Sequence, residues 1–268
     1  MQRRLSAVRV AVGASLLAAL LTGCAQGEPV PPVVSETKDP AAAQRIANLR
    51  TYFDGLARGT RRGYDGAIAN SVVDSPAATF ARHQKLMMQA ARRSESQRSV
   101  SAAVLDPDRV EWETSASTNS DYANLTGFAF DQIGRLISWN VDGTPLAEVV
   151  GGIAQRTTAD SYTVALQTGY VTAGGQFEVT FRVLGARGQM VQPQGYASAG
   201  SGRIRDVRAQ PSYVETFPRR ATPGWIVVPR TNSGEQWGGI AYFEAGYQTL
   251  MAVPAIKGEW KGITEEES

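Results

Sequence analysis

From Ser99 onward the chain is written in short alternating runs, each closed by a turn signal. Val100–Leu105, Arg109–Ser115, Tyr122–Phe130 and Leu136–Val141 place β-branched and aromatic residues at every second position. A period of two is the period of a strand with one buried face. Asp106-Pro107-Asp108 and Asp131-Gln132-Ile133-Gly134 supply the turns between these runs. Connections this short only join antiparallel neighbours. Residues 40 to about 95 follow another period. Pro40 suits a first helical position after Asp39 as cap, and Ile46, Leu49, Phe53 and Leu56 then make one apolar stripe. Gly59 and Gly63 are expected to break that helix. Tyr64–Val73 predicts a second helix, and Asp74-Ser75-Pro76 starts a third that carries Phe80, Gln84, Met87 and Ala91 on one face. Three helices followed by an antiparallel sheet predict an α+β domain over residues 40–150.

The pattern changes again after Val149-Val150-Gly151-Gly152. Tyr162, Val164 and Leu166 alternate, as do Phe177, Val179, Phe181 and Val183. Trp225–Val228, Ile240–Phe243 and Leu250–Val253 are further strands, divided by Gly and Pro turns. Residues 153–263 therefore read as an all-β sandwich. A construction of two separable domains, 40–150 and 153–263, follows, with an acidic tail at 264–268.

The N-terminus has its own chemistry. Arg3, Arg4 and Arg9 precede the apolar run Val10–Leu21, which spans only about 18 Å as a helix, short of a bilayer core of about 30 Å. This is a secretory signal over residues 1–23. Ala25–Asp39 contains Pro29, Pro31 and Pro32 and reads as a tether. The 27 lysines and arginines, less the three of the leader, leave 24 against 25 acids, so the mature chain carries a net charge of −1. That balance speaks against nucleic acid as a partner. The helical segment is nonetheless rich in Arg and the following sheet rich in Asp and Glu, which predicts charge-complementary packing between the two layers.

Reactive residues are few. The one cysteine, Cys24, excludes an intrachain disulfide, and with one histidine, His83, neither a structural nor a catalytic zinc site of the common kinds can be assembled. No metal or cofactor is expected. Ser35-Glu36-Thr37-Lys38 has the Ser-x-x-Lys spacing but lies in the tether, with no Ser-Asp-Asn or Lys-Thr-Gly partner. Glu111 and Glu113 share a strand face with Trp112 opposite, close to the lower limit for a glycosidase carboxylate pair. The neighbouring Asp106 and Asp108 point instead to a solvated acidic edge.

Three stretches resemble known families. Leu21-Thr22-Gly23-Cys24 resembles the bacterial lipobox, which implies a diacylglyceryl group on Cys24, cleavage before it, and attachment to the extracytoplasmic face of the membrane. Phe128-Ala129-Phe130-Asp131-Gln132-Ile133-Gly134-Arg135-Leu136-Ile137-Ser138-Trp139 resembles the last hairpin of nuclear-transport-factor-2-like domains. It implies a curved sheet wrapped round helices into a cone with a pocket. The Pro223-Gly224 strand, the polar loop and Gly239–Glu244 resemble immunoglobulin-like domains of secreted actinobacterial lipoproteins. The excess of Arg over Lys and the many Ala and Gly residues fit such a GC-rich source.

These features predict a membrane-anchored lipoprotein that binds or scaffolds in the cell envelope, its partner an envelope protein or an apolar ligand in the cone. The candidate contact residues are His83, Trp112, Trp139 and Trp237, with no catalytic residue assigned. The competing expectation is an enzyme that moves protons in the cone through His83 and an Asp such as Asp121 or Asp131.

Overall fold

The computed structural model describes residues 40–93, 98–116, 119–153, 156–159, 162–185, 190–199, 204–207, 210–211, 214–215, 217–228, 235–243 and 248–251. Cys24 and the tether lie outside the described residues. Residues 38–268 form one compact unit.

Helix α1 (Pro40–Ala57) buries the stripe that its sequence predicts: Leu49, Phe53 and Leu56 are fully covered, together with Tyr52, while Ile46 is half-buried at the edge. The second helix differs from expectation. Helix α2 runs Arg61–Ala69, starting three residues earlier and ending four residues sooner than the sequence suggests. Thr60 is its cap, accepting the Gly63 N–H at 3.0 Å, so Gly63 continues the helix rather than breaking it. Its function is close approach. A Cβ on Gly63 would stand 2.2 Å from the Gly55 carbonyl oxygen, and one on Gly55 2.8 Å from that of Gly63. The two helices therefore cross backbone to backbone. Gly63→Ala should cost about 1–3 kcal/mol through overpacking. Gly66→Ala, on the same helix with nothing within 4 Å, should stabilise by about 0.5–1 kcal/mol. Urea midpoints of the two variants on opposite sides of the parent would verify the crossing. Helix α3 (Pro76–Arg93) begins as predicted, with Ser75 accepting the Ala78 N–H at 3.1 Å.

The first sheet is an antiparallel meander of β1 (Arg98–Asp106), β2 (Arg109–Ala116), β3 (Asn119–Phe130), β4 (Leu136–Val141) and β5 (Thr144–Pro145), in sequence order. Strand β3 carries one extra residue against β4 between Thr126 and Ala129. Gly127 sits there at φ +66, and the Asp108 carboxylate clasps the bulge by accepting the N–H groups of Gly127 (2.9 Å) and Phe128 (3.3 Å). A bulge bends its strand and reverses which side chains face inward. Ala123 and Leu125 before it, and Phe128 and Phe130 after it, thus all turn to the core. The β3–β4 turn explains its own sequence. Asp131 accepts the N–H groups of Ile133 and Arg135, Arg135 Nε returns to Asp131 Oδ2 at 2.8 Å, and Gly134 takes φ +82 while its carbonyl accepts Asn48 Nδ2 of α1 at 2.7 Å.

A short helix α4 (Leu146–Val149) leads into a second group of strands: β6 (Val150–Gly152), β7 (Arg156–Ala159), β8 (Tyr162–Val171), β9 (Phe177–Leu184), β10 (Met190–Ala199), β11 (Ile204–Val207), β12 (Gln210–Pro211), β13 (Val214–Glu215), β14 (Thr222–Val228), β15 (Glu235–Phe243) and β16 (Gln248–Met251). They make two antiparallel sheets, one ordered β12-β14-β9-β8-β6 with β7 also on β8, the other β11-β10-β15-β16 with β13 on β10. The molecule is thus α+β with three open antiparallel sheets. The break near Gly151 is the point where the chain passes from the first sheet to the second.

Among the described residues, the ion pairs of the helical layer and of the outer part of the first sheet stay within their own layer, unlike the pairing between layers that the sequence suggests. Arg61 and Lys85 pair with Asp65, and Arg82 with Asp74, inside the helical layer. Arg109 pairs with Glu111 and Arg135 with Asp131 inside the sheet. Much of the space between the layers is filled by aromatic rings, and Arg98 of β1, which donates to Gln84 of α3, is a charged side chain that does reach across it.

Candidate functional site

Helix α3 is covered on two sides, and this brings the one histidine of the chain into contact with both halves. On one side Phe80 meets Trp112 (5.4 Å between centroids) and Trp139 (5.3 Å) of the first sheet. On the other, Phe80 meets Tyr170 of β8 at 5.2 Å, and Met87 and Ala90 pack on Trp225 and Val227 of β14. His83 lies one helical turn beyond Phe80, completely buried.

Both imidazole nitrogens are engaged. Nε2 is 3.0 Å from Glu178 Oε2 on β9, and Nδ1 is 2.9 Å from Thr168 Oγ1 on β8. Glu178 is held from a third direction by Arg98 at the start of β1, with Nη1 to Oε1 at 2.8 Å and Nη2 to Oε2 at 3.2 Å. Arg98 Nη2 also donates to Gln84 Oε1 on α3 at 3.1 Å. Thr168 Oγ1 lies 2.6 Å from Thr180 Oγ1. A helix, one strand of the first sheet and two of the second therefore share one buried polar cluster.

The register of β8 and β9 creates this arrangement. Leu166 pairs with Phe181, but Thr168 pairs with Thr180, so Gln167 is an extra residue on β8. Val164 and Leu166 face one side of the sheet with Phe181 and Val183. Past the bulge, Thr168 and Tyr170 turn to the other side, with Thr180 and Glu178, where α3 covers them. Strand β9 is buried on both faces from Phe177 to Phe181.

The electrostatics follow from burial and pairing. Burial pushes the His83 pKa down from 6.5, against the opposing pull of its hydrogen bond to Glu178. The ring is neutral at pH 7, so Nε2–H donates to Glu178 and Nδ1 accepts the Thr168 hydroxyl, which in turn accepts that of Thr180. Burial alone would raise Glu178, but the Arg98 charge and the His83 hydrogen bond outweigh it and bring the carboxyl from 4.5 to about 2. Glu178 is ionised and neutralised by Arg98.

The expected site residues fall in different places. Trp112 and Trp139 are 1 % exposed and lie at the centre of the first core, with indole N–H groups that have no hydrogen-bond partner, which is the position of packing residues. Trp237 is on β15, where its backbone pairs with Ala197, and its side chain lies outside the described residues. Asp121 and Asp131 are not beside His83. The Asp121 carboxylate accepts the N–H groups of Ala173 (3.2 Å) and Gly174 (2.7 Å) in the β8–β9 turn, a second contact between the halves. Asp131 is spent in its own turn. The carboxylate that does face His83, Glu178, was not singled out in the sequence. Its signal is an acid in the middle of the apolar run Phe177–Phe181. Among the described residues, no group of three or more His, Cys, Asp or Glu is placed to hold a metal ion, and no helix is long and apolar enough to cross a membrane. Compared with family models, with curated proteins and with solved structures, the chain finds no match in any of the three.

Proposed function

We propose that the chain is a lipid-anchored extracytoplasmic protein of the cell envelope that binds or scaffolds a partner rather than turning over a substrate. Anchoring rests on Leu21-Thr22-Gly23-Cys24 at the end of a short apolar run with three preceding arginines. A thioether-linked diacylglycerol on Cys24 supplies two acyl chains, enough for stable attachment where one is marginal.

The observation that supports binding over catalysis is the burial of His83. A general base must reach a substrate proton directly or through one water. Here both nitrogens are bonded to the protein and the ring has no exposed surface. The contact with Glu178 is what a proton-transfer reading has in its favour, and its burial weighs against that reading.

In finer detail, we read the first half as a cone of the nuclear-transport-factor-2-like kind and the second as an immunoglobulin-like sandwich. The bulged five-stranded meander on three helices supports the first, and two antiparallel sheets of short strands support the second. The rings of Tyr52, Phe53, Phe80, Trp112 and Trp139 occupy the interior of the first half, with centroids 5.0–6.0 Å apart. An apolar ligand would have to displace them, so a protein partner on the surface is the better fit.

Cys24→Ala is expected to abolish maturation and membrane retention. Mass spectrometry of the protein from its own membrane should give a lipid-sized increment on Cys24 in the parent and none in the variant. Detergent-phase partitioning of the variant, with the increment intact, would refute the anchor.

A further inference from the structure

Arg98 carries five N–H donors, and its neighbours take only part of them. Its end fork, Nη1 and Nη2, is filled by Glu178, and Nη2 also donates to Gln84 Oε1 at 3.1 Å. Nε has no hydrogen-bond partner, although the side chain is only 6 % exposed. Two further buried donors are unpartnered: Gln84 Nε2, on a residue 1 % exposed, and the Tyr64 hydroxyl, on a residue 2 % exposed. Gln84 is tied to Arg98 by the contact just described. Tyr64 of α2 reaches α3 one turn further on. Its hydroxyl lies 3.9 Å from the point where a Gly59 Cβ would stand, and that point is 3.4 Å from Met88 Cε. Gln84 and Met88 are successive positions on one face of α3, about 6 Å apart along the helix. Two donors that share one acceptor, at about 3 Å from each, have that separation. Burial raises the Tyr64 hydroxyl to about 12, so it stays an O–H, and the charges of Arg98 and then Arg92 act against the rise. The hydroxyl is thus within the field of both guanidiniums.

We propose that Arg98 Nε, Gln84 Nε2 and Tyr64 Oη together bind one small monovalent anion of the chloride class, enclosed between α2, α3 and β1. Buried donors without an acceptor are costly, and three of them ask for the same kind of partner. A water has two hydrogens of its own to place, and the acceptors of this group, Gln84 Oε1 and the Glu178 oxygens, already receive Arg98. An anion accepts from all three donors and returns none. Charge sets its valence. Arg92 and Arg98 stand near the single carboxylate of Glu178, with His83 neutral. Arg92 Nη2 is on the uncharged Gly59 carbonyl at 2.6 Å, and Lys85 is offset by Asp65. Among the described residues this leaves one positive charge over. A monovalent anion balances it, whereas a doubly charged phosphate or sulfate overshoots. Glu178 holds the end fork of Arg98 and the anion its Nε, so the guanidinium separates the two negative groups. Because Arg98 ties β1 to β9 and to α3, the anion tightens the joint between the two halves of the molecule.

The test uses a chain from Ala25 to Ser268, which keeps every described element. Urea unfolding is followed in sodium chloride and in sodium gluconate at equal ionic strength. Chloride at ten times its dissociation constant should raise the folded-to-unfolded ratio about elevenfold. Tyr64→Phe removes one donor at constant shape and should raise the half-saturating chloride concentration about tenfold or more. Gln84→Glu supplies a carboxylate of its own to Arg98 and should abolish the chloride response. Arg109→Gln removes an exposed positive charge from the first sheet and should keep the response of the parent. Crystals grown in bromide should show its anomalous signal within hydrogen-bond distance of Arg98 Nε. Equal unfolding midpoints in the two salts, a chloride response unchanged in Tyr64→Phe and Gln84→Glu, or an ordered water in place of bromide at Arg98 Nε would overturn the proposal.

Discussion

Phe53→Ala is expected to destabilise the protein by about 3–5 kcal/mol, enough to unfold an ordinary domain at physiological temperature. The ring is fully buried and sits against four others: Tyr52 at 5.0 Å, Trp139 at 5.4 Å, Phe128 at 5.9 Å and Trp112 at 6.0 Å, all edge to face. These neighbours come from one helix and three strands, so no single element can shift to close the cavity. The lost transfer energy and the cavity term therefore add. Aromatic pairs contribute about 0.5–1.5 kcal/mol each beyond burial, which places the cost at the upper end. Exposed Arg61→Ala is the control, at about 0.5 kcal/mol or less. Urea unfolding gives the comparison, with equal slopes required for the two variants. A Phe53→Ala cost below about 1 kcal/mol would show that the core is elsewhere.

Local chemistry was legible in the sequence wherever its consequence stays local. The stripe Leu49, Phe53, Leu56 could be assigned because it follows one period, and the turn Asp131–Gly134 because it follows one turn type. Asp131 and Gly134 do in the structure what their types do in isolation: one caps a turn, the other takes a positive φ and lets Asn48 approach. Gly63 was misread because a helix-breaking residue and a residue of close approach look the same in one dimension. Only the crossing with Gly55 distinguishes them. The polar cluster was illegible for a further reason. Alternation in β9 separates Phe177, Val179 and Phe181 from Glu178 and Thr180, but cannot say that α3 covers the second set. Nor does the sequence of β8 announce that Gln167 is extra and that Thr168 consequently turns toward His83. Charge balance misled in the same way. Opposite signs in adjacent segments suggested pairing, whereas the ion pairs of the helices and of the outer sheet stay within their own layer.

The buried cluster gives the second large expectation. Glu178→Ala should cost about 3–5 kcal/mol, because Arg98 is left buried without its counter-ion. Glu178 itself is a poor source of net stability, since both charges were desolvated to form the pair. Arg98→Met/Glu178→Met should therefore be far less destabilising than the two single changes added together, and a double-mutant cycle measures that difference. The acid response has a definite sign. His83 has a lower pKa folded than unfolded, so its contribution is complete above about 6.5 and is lost as pH falls toward the folded value. Glu178 falls from 4.5 to about 2, so its contribution is complete above 4.5 and is lost between there and about 2. Both groups make stability decline with acid, His83 first. A protonated His83 would donate Nδ1–H to Thr168, reversing the hydroxyl order through Thr180, and would place two cations against one carboxylate. His83→Gln retains a donor for Glu178 and an acceptor for Thr168 but cannot titrate. Its unfolding free energy should be flatter than the parent's as pH falls below 6.5, with the loss below pH 4.5 that belongs to Glu178 retained in both. The same pH slope in parent and variant from pH 6.5 down to 4.5, where Glu178 begins to contribute, would mean that His83 does not titrate with folding. A loss confined to the first or the second half would mean that the cluster does not join them.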